Sequence, residues 1–164
     1  MTLLERTLLS VGVMKSSELS AIPGRRQPFP VDAYVSQVVL DRLTLAGYHL
    51  RVGDELLASR FYRQSISRHY YAMYHSARAV VYGSIPGDDH ERHRELPRNL
   101  PAQMQGEDYE SILTDARLLR NQADYDPYPI DEAKWESEAR VLAGVAVTFV
   151  SDFDAFAKTQ GMIQ

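Results

Sequence analysis

Residues 131–157 read DEAKWESEARVLAGVAVTFVSDFDAFA, and they carry the clearest helical pattern in the chain. Their large apolar side chains follow one another at alternating steps of four and three residues, which is the spacing of one helix face. Asp131 stands just before the repeat, where a helix N-cap is expected. The stretch therefore predicts a long amphipathic helix whose buried face consists of Trp135, Ala139, Leu142, Ala146, Phe149, Phe153 and Phe156.

Three earlier segments show the same kind of spacing. The first helix is predicted to begin at Asp32 and to run to about His49 or beyond, with a break at Gly53 and Asp54. The second ends at Gly83, and the third follows Gly106 and stops before Pro127. Four such helices predict an all-α fold, an antiparallel bundle of four to five helices. The predicted apolar faces are Val35, Val39, Leu43, Ala46 and Leu50; Ile66, Tyr70, Met73, Ala77 and Val80; and Tyr109, Ile112, Ala116, Leu119 and Ala123.

The segment before residue 31 has a different character. Serine, glycine and proline punctuate it, and proline interrupts regular helix. Leu3, Leu4, Leu8 and Leu9 are spaced for one short amphipathic turn. We therefore expect an irregular N-terminal arm over residues 1–30 and a helical bundle domain over residues 31–160.

Composition narrows the classes of protein. A chain of 164 residues is the size of one domain, it has no cysteine, and it has no apolar run of roughly 18 residues. These features predict a cytoplasmic protein without a membrane span. The net charge of −4 argues against a broad nucleic-acid footprint. Residues 56–87 contain four arginines and no acidic residue, so they could still form a local basic patch that binds phosphate. The other interpretation is that these arginines lie on exposed helix faces.

Polar residues gather at the end of the third predicted helix, in LLRNQADYDP (118–127). Arg120 could hold a phosphate, Asn121 could hydrogen-bond a sugar or base, and Tyr125 could stack. The alternative is an ion pair between Arg120 and Asp124, four residues apart on one helix face, with the tyrosine closing the bundle end. The residue types alone leave both interpretations open.

Two motifs resemble those of the HEPN superfamily: SRHYYAMYHSARA (67–79), followed by a loop with His90, and LRNQADY (119–125). The resemblance covers residues 31–156. It implies a bundle of four or five helices that forms a homodimer. It also implies that the protein acts as the toxin partner of a nucleotidyltransferase antitoxin or as a component of a defence system. Many members are metal-independent ribonucleases that act at the dimer cleft.

The catalytic motif of that family is an arginine, a polar residue and then a histidine four to six positions further on. Arg120 and Asn121 match its first two members, whereas Tyr125, Asp126 and Pro127 stand where the histidine is expected. An unperturbed tyrosine has a pKa of about 10 and is a poor base at neutral pH. Asp124 and Tyr125 are the local substitutes, so the predicted catalytic set is Arg120, Asn121, Asp124 and Tyr125.

The second helix supplies further candidates. Arg68, Ala72, His75 and Ala79 share a face that could form a dimer seam, and His75 could replace the missing histidine if it lined the same cleft as Arg120. Arg68, His75 and Arg117 are the predicted nucleic-acid-binding residues. His90 and His93 stand beside acidic residues, but a charged surface loop is the commoner meaning of this pattern. We predict no metal site and no cofactor.

Three hypotheses about function follow from the sequence. The first is a HEPN toxin-like ribonuclease whose homodimer cleft binds RNA. The second is a non-catalytic HEPN module that binds a nucleotidyltransferase partner, a nucleotide or RNA. The third is a structural bundle, which would be favoured if Arg120 were buried in an ion pair away from any cleft. Because the motif histidine is missing, whether the chain is an enzyme stays open.

Overall fold

The computed structural model describes residues 1–22, 31–104 and 108–163, and this part of the chain is helical without a strand. The all-α prediction is confirmed, whereas the described residues form six α-helices rather than the four or five predicted, because the N-terminal segment adds two short ones. Two short 3₁₀ segments, Leu96–Asn99 and Ala102–Met104, lie between the fourth and fifth α-helices. None of the helices in the described ranges combines the length and apolar character that crossing a lipid bilayer requires. The α-helices are α1 (Leu3–Val11), α2 (Ser16–Ala21), α3 (Val31–Ala58), α4 (Tyr62–Ser84), α5 (Tyr109–Tyr125) and α6 (Glu132–Thr159).

Helix α4 is the centre of the fold and packs on α3, α5 and α6. Its predicted apolar face, including Ile66, Tyr70 and Met73, is almost completely buried. Helix α6 contributes Phe149 and Phe153, whose rings stack with centroids 4.2 Å apart. The Asp131 side chain accepts a hydrogen bond from the backbone N–H of Ala133, which confirms the predicted N-cap. The four predicted stripes therefore meet in one hydrophobic core.

Helix α3 does not break at Gly53 as the sequence predicts, but continues to Ala58. The glycine serves close packing instead, since a Cβ at this position would lie 2.8 Å from Nε2 of the buried His69. The Ser65 hydroxyl donates to the Gly53 carbonyl oxygen over 2.9 Å and lies 3.2 Å from Nδ1 of His69. Gly53 thus lets α3 and α4 approach each other without ending a helix.

The break between α3 and α4 lies at residues 59–61. Arg60 adopts a left-handed backbone conformation with φ of 63°, and the Phe61 N–H donates to the Leu56 carbonyl oxygen over 2.8 Å. This is the hydrogen-bond pattern that commonly closes a helix when a glycine occupies the left-handed position. Because an arginine occupies it here, the sequence gives no glycine signal for the true boundary. The short turn makes α3 and α4 an antiparallel pair, in which His49 meets His75 and Arg42 meets Tyr82.

The N-terminal segment differs from the irregular arm that the sequence predicts. Thr2 and Glu5 form a capping box that starts α1, and proline is absent until residue 23. Val11 and Leu19 are buried in the same core as the long helices. Residues 1–22 are therefore mostly helical and pack on the bundle, while Pro23, Gly24, Pro28 and Pro30 lie outside the described residues.

A buried ion-pair network, the Asp88 network, anchors this segment. Its members are Arg42, Arg78 and Asp88, and the Asp88 side chain is 5% exposed. Both carboxylate oxygens are used: Arg78 Nε donates to Oδ1 over 2.9 Å and its Nη2 pairs with Oδ2, while Arg42 Nη2 lies 3.2 Å from Oδ1. Arg42 also donates to the Gly12 carbonyl, and the Asp88 N–H donates to the Met14 carbonyl over 2.8 Å. The network ties α3, α4 and the loop after α4 to the N-terminus.

Candidate functional site

Arg120 lies on the α5 face turned towards α4, and its side chain is only 17% exposed. Its Nη2 donates to the Tyr71 hydroxyl over 2.9 Å, and its Nη1 donates to the Asn121 side-chain oxygen over 3.2 Å. Its Nε lies 2.7 Å from Asp124 Oδ2 without hydrogen-bond alignment, so this contact is an ion pair rather than a hydrogen bond. The predicted pair of Arg120 and Asp124 is present, but a residue from another helix also holds the guanidinium.

Tyr71 is the hub of the site. The centroid of its ring lies 5.7 Å from that of His49, 6.3 Å from that of His75 and 6.1 Å from that of His93. His49 and His75 stack on each other with centroids 5.3 Å apart and planes inclined by 3°. Helices α3, α4 and α5 and the loop after α4 therefore meet at one point. We call this group the Tyr71 cluster; it comprises Tyr71, His49, His75, His93, Arg68, Arg117 and Arg120.

Two arginines of the cluster have no carboxylate within ion-pair distance among the described residues. Arg68 lies over the Tyr71 ring, with its guanidinium carbon 5.7 Å from the centroid. Arg117 stands one turn before Arg120 on α5, and its Nε is enclosed without a hydrogen-bond partner among the described groups. A buried N–H that lacks a partner costs free energy, and such groups are rare in native proteins unless water or a ligand completes them. The cluster thus has positive charge available for an anion.

The histidines of the cluster are held neutral at pH 7. Burial lowers the pKa of His75 to about 4, and the nearby His49 and Arg78 act in the same direction. Burial and Arg68 lower the pKa of His49. The Nδ1 atoms of both rings are enclosed without a described partner. Neutral imidazoles next to uncompensated arginines can accept a proton, and each can also donate or accept a hydrogen bond.

His93 joins the cluster from the loop after α4. The Tyr70 hydroxyl lies 2.5 Å from its Nδ1, and the Tyr74 ring stacks on it with centroids 4.1 Å apart. Tyr74 donates to the Glu91 carbonyl over 2.5 Å, which fixes the loop. Although the residue lies at the surface, two tyrosine rings enclose one side of the imidazole. Burial first, and then Arg120 and other arginines, lower the pKa of His93.

The structure brings together most of the residues that the sequence singled out. Arg68, His75, Arg117 and Arg120 all belong to the Tyr71 cluster, and Asn121 contacts it through Arg120. The clustering could not be read from spacing, because His49, Tyr71 and His93 come from three separate parts of the chain. The two consecutive tyrosines at positions 70 and 71, inside the motif SRHYYAMYHSARA, are the sequence feature that could have pointed to the cluster.

Two predicted roles change. Asp124 pairs with Arg120 and its Oδ1 also accepts a hydrogen bond from Ser67, so both carboxylate oxygens are occupied and the residue positions Arg120. The predicted dimer seam is wrong, because Ala72 and Ala79 are completely buried within the chain. Tyr125 is 72% exposed, and its ring centroid lies 5.4 Å from the Arg120 guanidinium carbon. It is free to stack against a ligand.

The acidic residues around His90 hold their loop against the rest of the fold. Asp88 is occupied by two arginines, Asp89 accepts from the Ser16 N–H over 2.8 Å, and Glu91 pairs with Lys15 over 2.5 Å. Within the described ranges, no three histidine or carboxylate side chains are grouped to share a metal ion. His93 points to the tyrosines of α4 rather than to the acids of its own loop.

A groove of about 560 Å³ runs between α1 and α3 and reaches the cluster at His75. Arg78 and Arg42 border it, and its other walls are mostly apolar side chains of α1 and α3, such as Leu8, Leu9 and Leu45. Arg120 does not line this groove. His75 therefore borders a groove that Arg120 does not line.

No protein-family model and no curated protein sequence matches this chain. The geometry of the Tyr71 cluster and the residues that form it are therefore the basis for inferring a function.

Proposed function

We propose that the protein is a HEPN toxin-like RNA-binding protein that cleaves RNA without a metal ion, and that the Tyr71 cluster is its active site. The observation that carries the proposal is the combination of uncompensated arginines and neutral histidines around Tyr71. Arginine suits phosphate because its planar, permanently charged group donates two hydrogen bonds to neighbouring oxygens.

In the proposed reaction the ribose 2′-oxygen attacks the adjacent phosphorus. The 2′-hydroxyl proton passes to a base, the bond from phosphorus to the 5′-oxygen breaks, and the leaving oxygen takes a proton from water. The products are a 2′,3′-cyclic phosphate and a free 5′-hydroxyl. Arg120 and Arg117 would stabilise the extra negative charge on the five-coordinate phosphorus, an effect worth roughly 3 kcal/mol for one well-placed donor.

Several features support a role for Arg120 beyond closing a helix end. Its guanidinium is held by three different side chains, which fixes its position before a ligand arrives. The rings of Tyr71 and Tyr125 lie beside it, with centroids 5.3 Å and 5.4 Å from its guanidinium carbon. An exposed aromatic side chain next to an arginine is typical of sites that bind single-stranded nucleic acid, where bases stack on the ring. In the family that the two motifs resemble, two copies form the cleft, so a second copy of this chain would complete it.

A non-catalytic module is the second candidate. The observation that favours it is Tyr125, which stands where the family motif has its histidine and whose side chain is exposed to solvent rather than aimed into the cluster. In that case the same arginines would bind RNA, a nucleotide or a nucleotidyltransferase partner without cleavage.

The test is cleavage of a mixed RNA pool by purified protein in EDTA, with binding of the pool measured in parallel. The variant is Arg120→Ala, and the matched control is Arg140→Ala, because Arg140 forms the same i, i+4 type of ion pair with Glu136 on the exposed side of α6. We expect wild type and Arg140→Ala to bind and cleave, and Arg120→Ala to lose at least about 100-fold in cleavage.

The outcomes separate the two candidates. Binding without cleavage by folded wild-type protein would leave the non-catalytic module. Equal cleavage by wild type and Arg120→Ala would show that the activity does not come from the Tyr71 cluster. Absence of both binding and cleavage would overturn the proposed function.

A further inference from the structure

We propose that His93 is the proton acceptor of this site and that Tyr70 positions it, so that a histidine from the loop after α4 replaces the one missing after Arg120. The inference deepens the proposed function and rests on it. It assigns a role to a residue that no motif marked, because the loop around His93 looks like an ordinary charged surface segment.

Three histidines surround Tyr71, and their settings differ. His49 and His75 stack face to face, and their Nδ1 atoms are enclosed. The pKa of His75, about 4, makes its ring a weak base at neutral pH, since general bases work best when their pKa lies near the working pH. His75 lines the groove between α1 and α3, whereas Arg120 does not. The earlier idea that His75 replaces the motif histidine is therefore the weaker one.

His93 has the geometry that a proton acceptor needs. One nitrogen, Nδ1, is held by the Tyr70 hydroxyl over 2.5 Å, while the residue itself lies at the surface. Tyr74 stacks on the ring at 4.1 Å and fixes its plane. A hydrogen-bonded partner on one nitrogen sets the ring orientation and directs the other nitrogen outwards, as in catalytic arrangements built from a nucleophile, a base and an orienting group. Nε2 is thus left for a substrate hydroxyl.

His93 and Arg120 also share a neighbour. The Tyr71 hydroxyl accepts from Arg120, and the Tyr71 ring meets the His93 ring edge to face with centroids 6.1 Å apart. The charged groups that act on His93 are Arg120, Arg78 and Arg117, all cations, which keep the ring neutral until it takes the 2′-hydroxyl proton. Of these, Arg78 pairs with Asp88, which it shares with Arg42. A phosphate held by Arg120 and Arg117 would offset the remaining positive charge and make protonation of His93 easier.

The step transfers one proton from the substrate to His93. Nε2 takes the proton from the 2′-hydroxyl as the 2′-oxygen bonds to phosphorus, and the imidazolium that forms is stabilised by the adjacent phosphate. For Nε2 to accept, Nδ1 must carry the hydrogen and donate it to the Tyr70 oxygen. Burial raises the pKa of Tyr70, so this hydroxyl stays protonated throughout and acts only as the orienting partner.

The test uses the whole chain and two variants of the same loop. His93→Asn keeps an amide near the Nδ1 position but has no counterpart of Nε2, and His90→Asn is the matched control, because no ring contact or hydrogen bond joins His90 to the described residues. RNA binding and cleavage in EDTA are measured for both. We expect His93→Asn to bind within about twofold of wild type but to cleave at least about 100-fold more slowly, and His90→Asn to behave as wild type.

A second measurement does not depend on a variant. NMR titration of the histidine ring protons gives the pKa of His93 with and without a 2′-O-methyl RNA oligonucleotide, which binds but cannot be cleaved because its nucleophile is blocked. Phosphate beside the ring should raise the pKa of His93 by about 1, with no comparable change at His90.

The outcomes distinguish this inference from the proposed function. Cleavage that depends on Arg120 but survives in His93→Asn would overturn the role of His93 alone. So would Arg120-dependent binding of the oligonucleotide that leaves the pKa of His93 unchanged. Loss of both binding and cleavage already in wild type would overturn the proposed function, and His93 with it.

Discussion

The Asp88 network and the Tyr71 cluster are both rich in arginine, and both include side chains of α3, α4 and the loop after α4. In the Asp88 network two guanidinium groups converge on one buried carboxylate, and the Gly12 carbonyl accepts a further hydrogen bond from Arg42. In the Tyr71 cluster Arg68 and Arg117 meet no described carboxylate, and the histidines beside them are neutral. The first arrangement gives both arginines a shared anion and holds the fold together, although Nη1 of Arg42 is enclosed without a described hydrogen-bond partner. In the second, two arginines have no described carboxylate, and this leaves positive charge for a ligand.

Loss of the shared anion in the Asp88 network should have the greatest effect on stability. Asp88→Ala would leave Arg42 and Arg78 buried without their shared anion, so we expect the free energy of unfolding to fall by about 3–5 kcal/mol. Urea denaturation followed by circular dichroism measures this loss. Asp154→Ala, which removes an exposed pair with Lys158, is the control and should change stability by less than about 0.5 kcal/mol. A loss below about 1 kcal/mol for Asp88→Ala would show that the network does not anchor the fold.

The difference between these regions explains what the sequence could predict. The apolar stripes of α3 to α6 and the N-cap at Asp131 depend on local spacing, and the structure buries or half-buries every position of those stripes. The predicted break at Gly53 is wrong because this glycine leaves room for the ring of His69. His69 lies 16 residues further along the chain, so local spacing rules do not reveal the contact. Arg60 was missed because its left-handed conformation normally selects glycine.

The candidate site was predictable only in part. Arg120 and Asn121 came from one motif, and Arg68 and His75 from another, but no pattern in a single sequence joins His49, Tyr71 and His93. Their meeting depends on the antiparallel packing of α3 on α4 and on the loop that Asp88 anchors. The structural hypothesis expected Arg120 in a buried ion pair away from any cleft. The ion pair with Asp124 is present and Arg120 does not line the groove between α1 and α3, but its guanidinium also donates to Tyr71 of another helix, which that hypothesis did not include.

A second, smaller effect concerns the neutral histidines, and it depends on pH. The pKa of His75 is about 4 in the folded chain and about 6.5 in an unfolded one. Between these values the unfolded state binds the proton and the folded state does not, so stability should fall as the pH drops from 6.5 to 4.

His75→Phe keeps an aromatic ring in the stack but cannot be protonated. We expect wild type to lose on the order of 2 kcal/mol more than His75→Phe between pH 7 and pH 4, a figure reduced for partial solvent exposure of the ring. Urea denaturation at a series of pH values measures it, with His90→Gln as the control. Identical pH profiles for wild type and His75→Phe would mean that His75 is not kept neutral by the cluster.

The smallest effect has the opposite sign, and it separates the two regions most sharply. Arg117 has an enclosed Nε without a described partner, so Arg117→Met removes an uncompensated buried donor while keeping the length of the side chain. We expect stability to rise by about 0.5–1 kcal/mol and RNA binding to weaken, since residues kept for ligand binding often cost stability in the free protein. Arg92→Met is the control, because the Arg92 side chain is 75% exposed and should affect neither property. Urea denaturation and fluorescence anisotropy with labelled RNA give the two readouts. A loss of stability in Arg117→Met would place this arginine with those of the Asp88 network, as a structural residue, and would leave Arg120 as the main phosphate-binding arginine of α5.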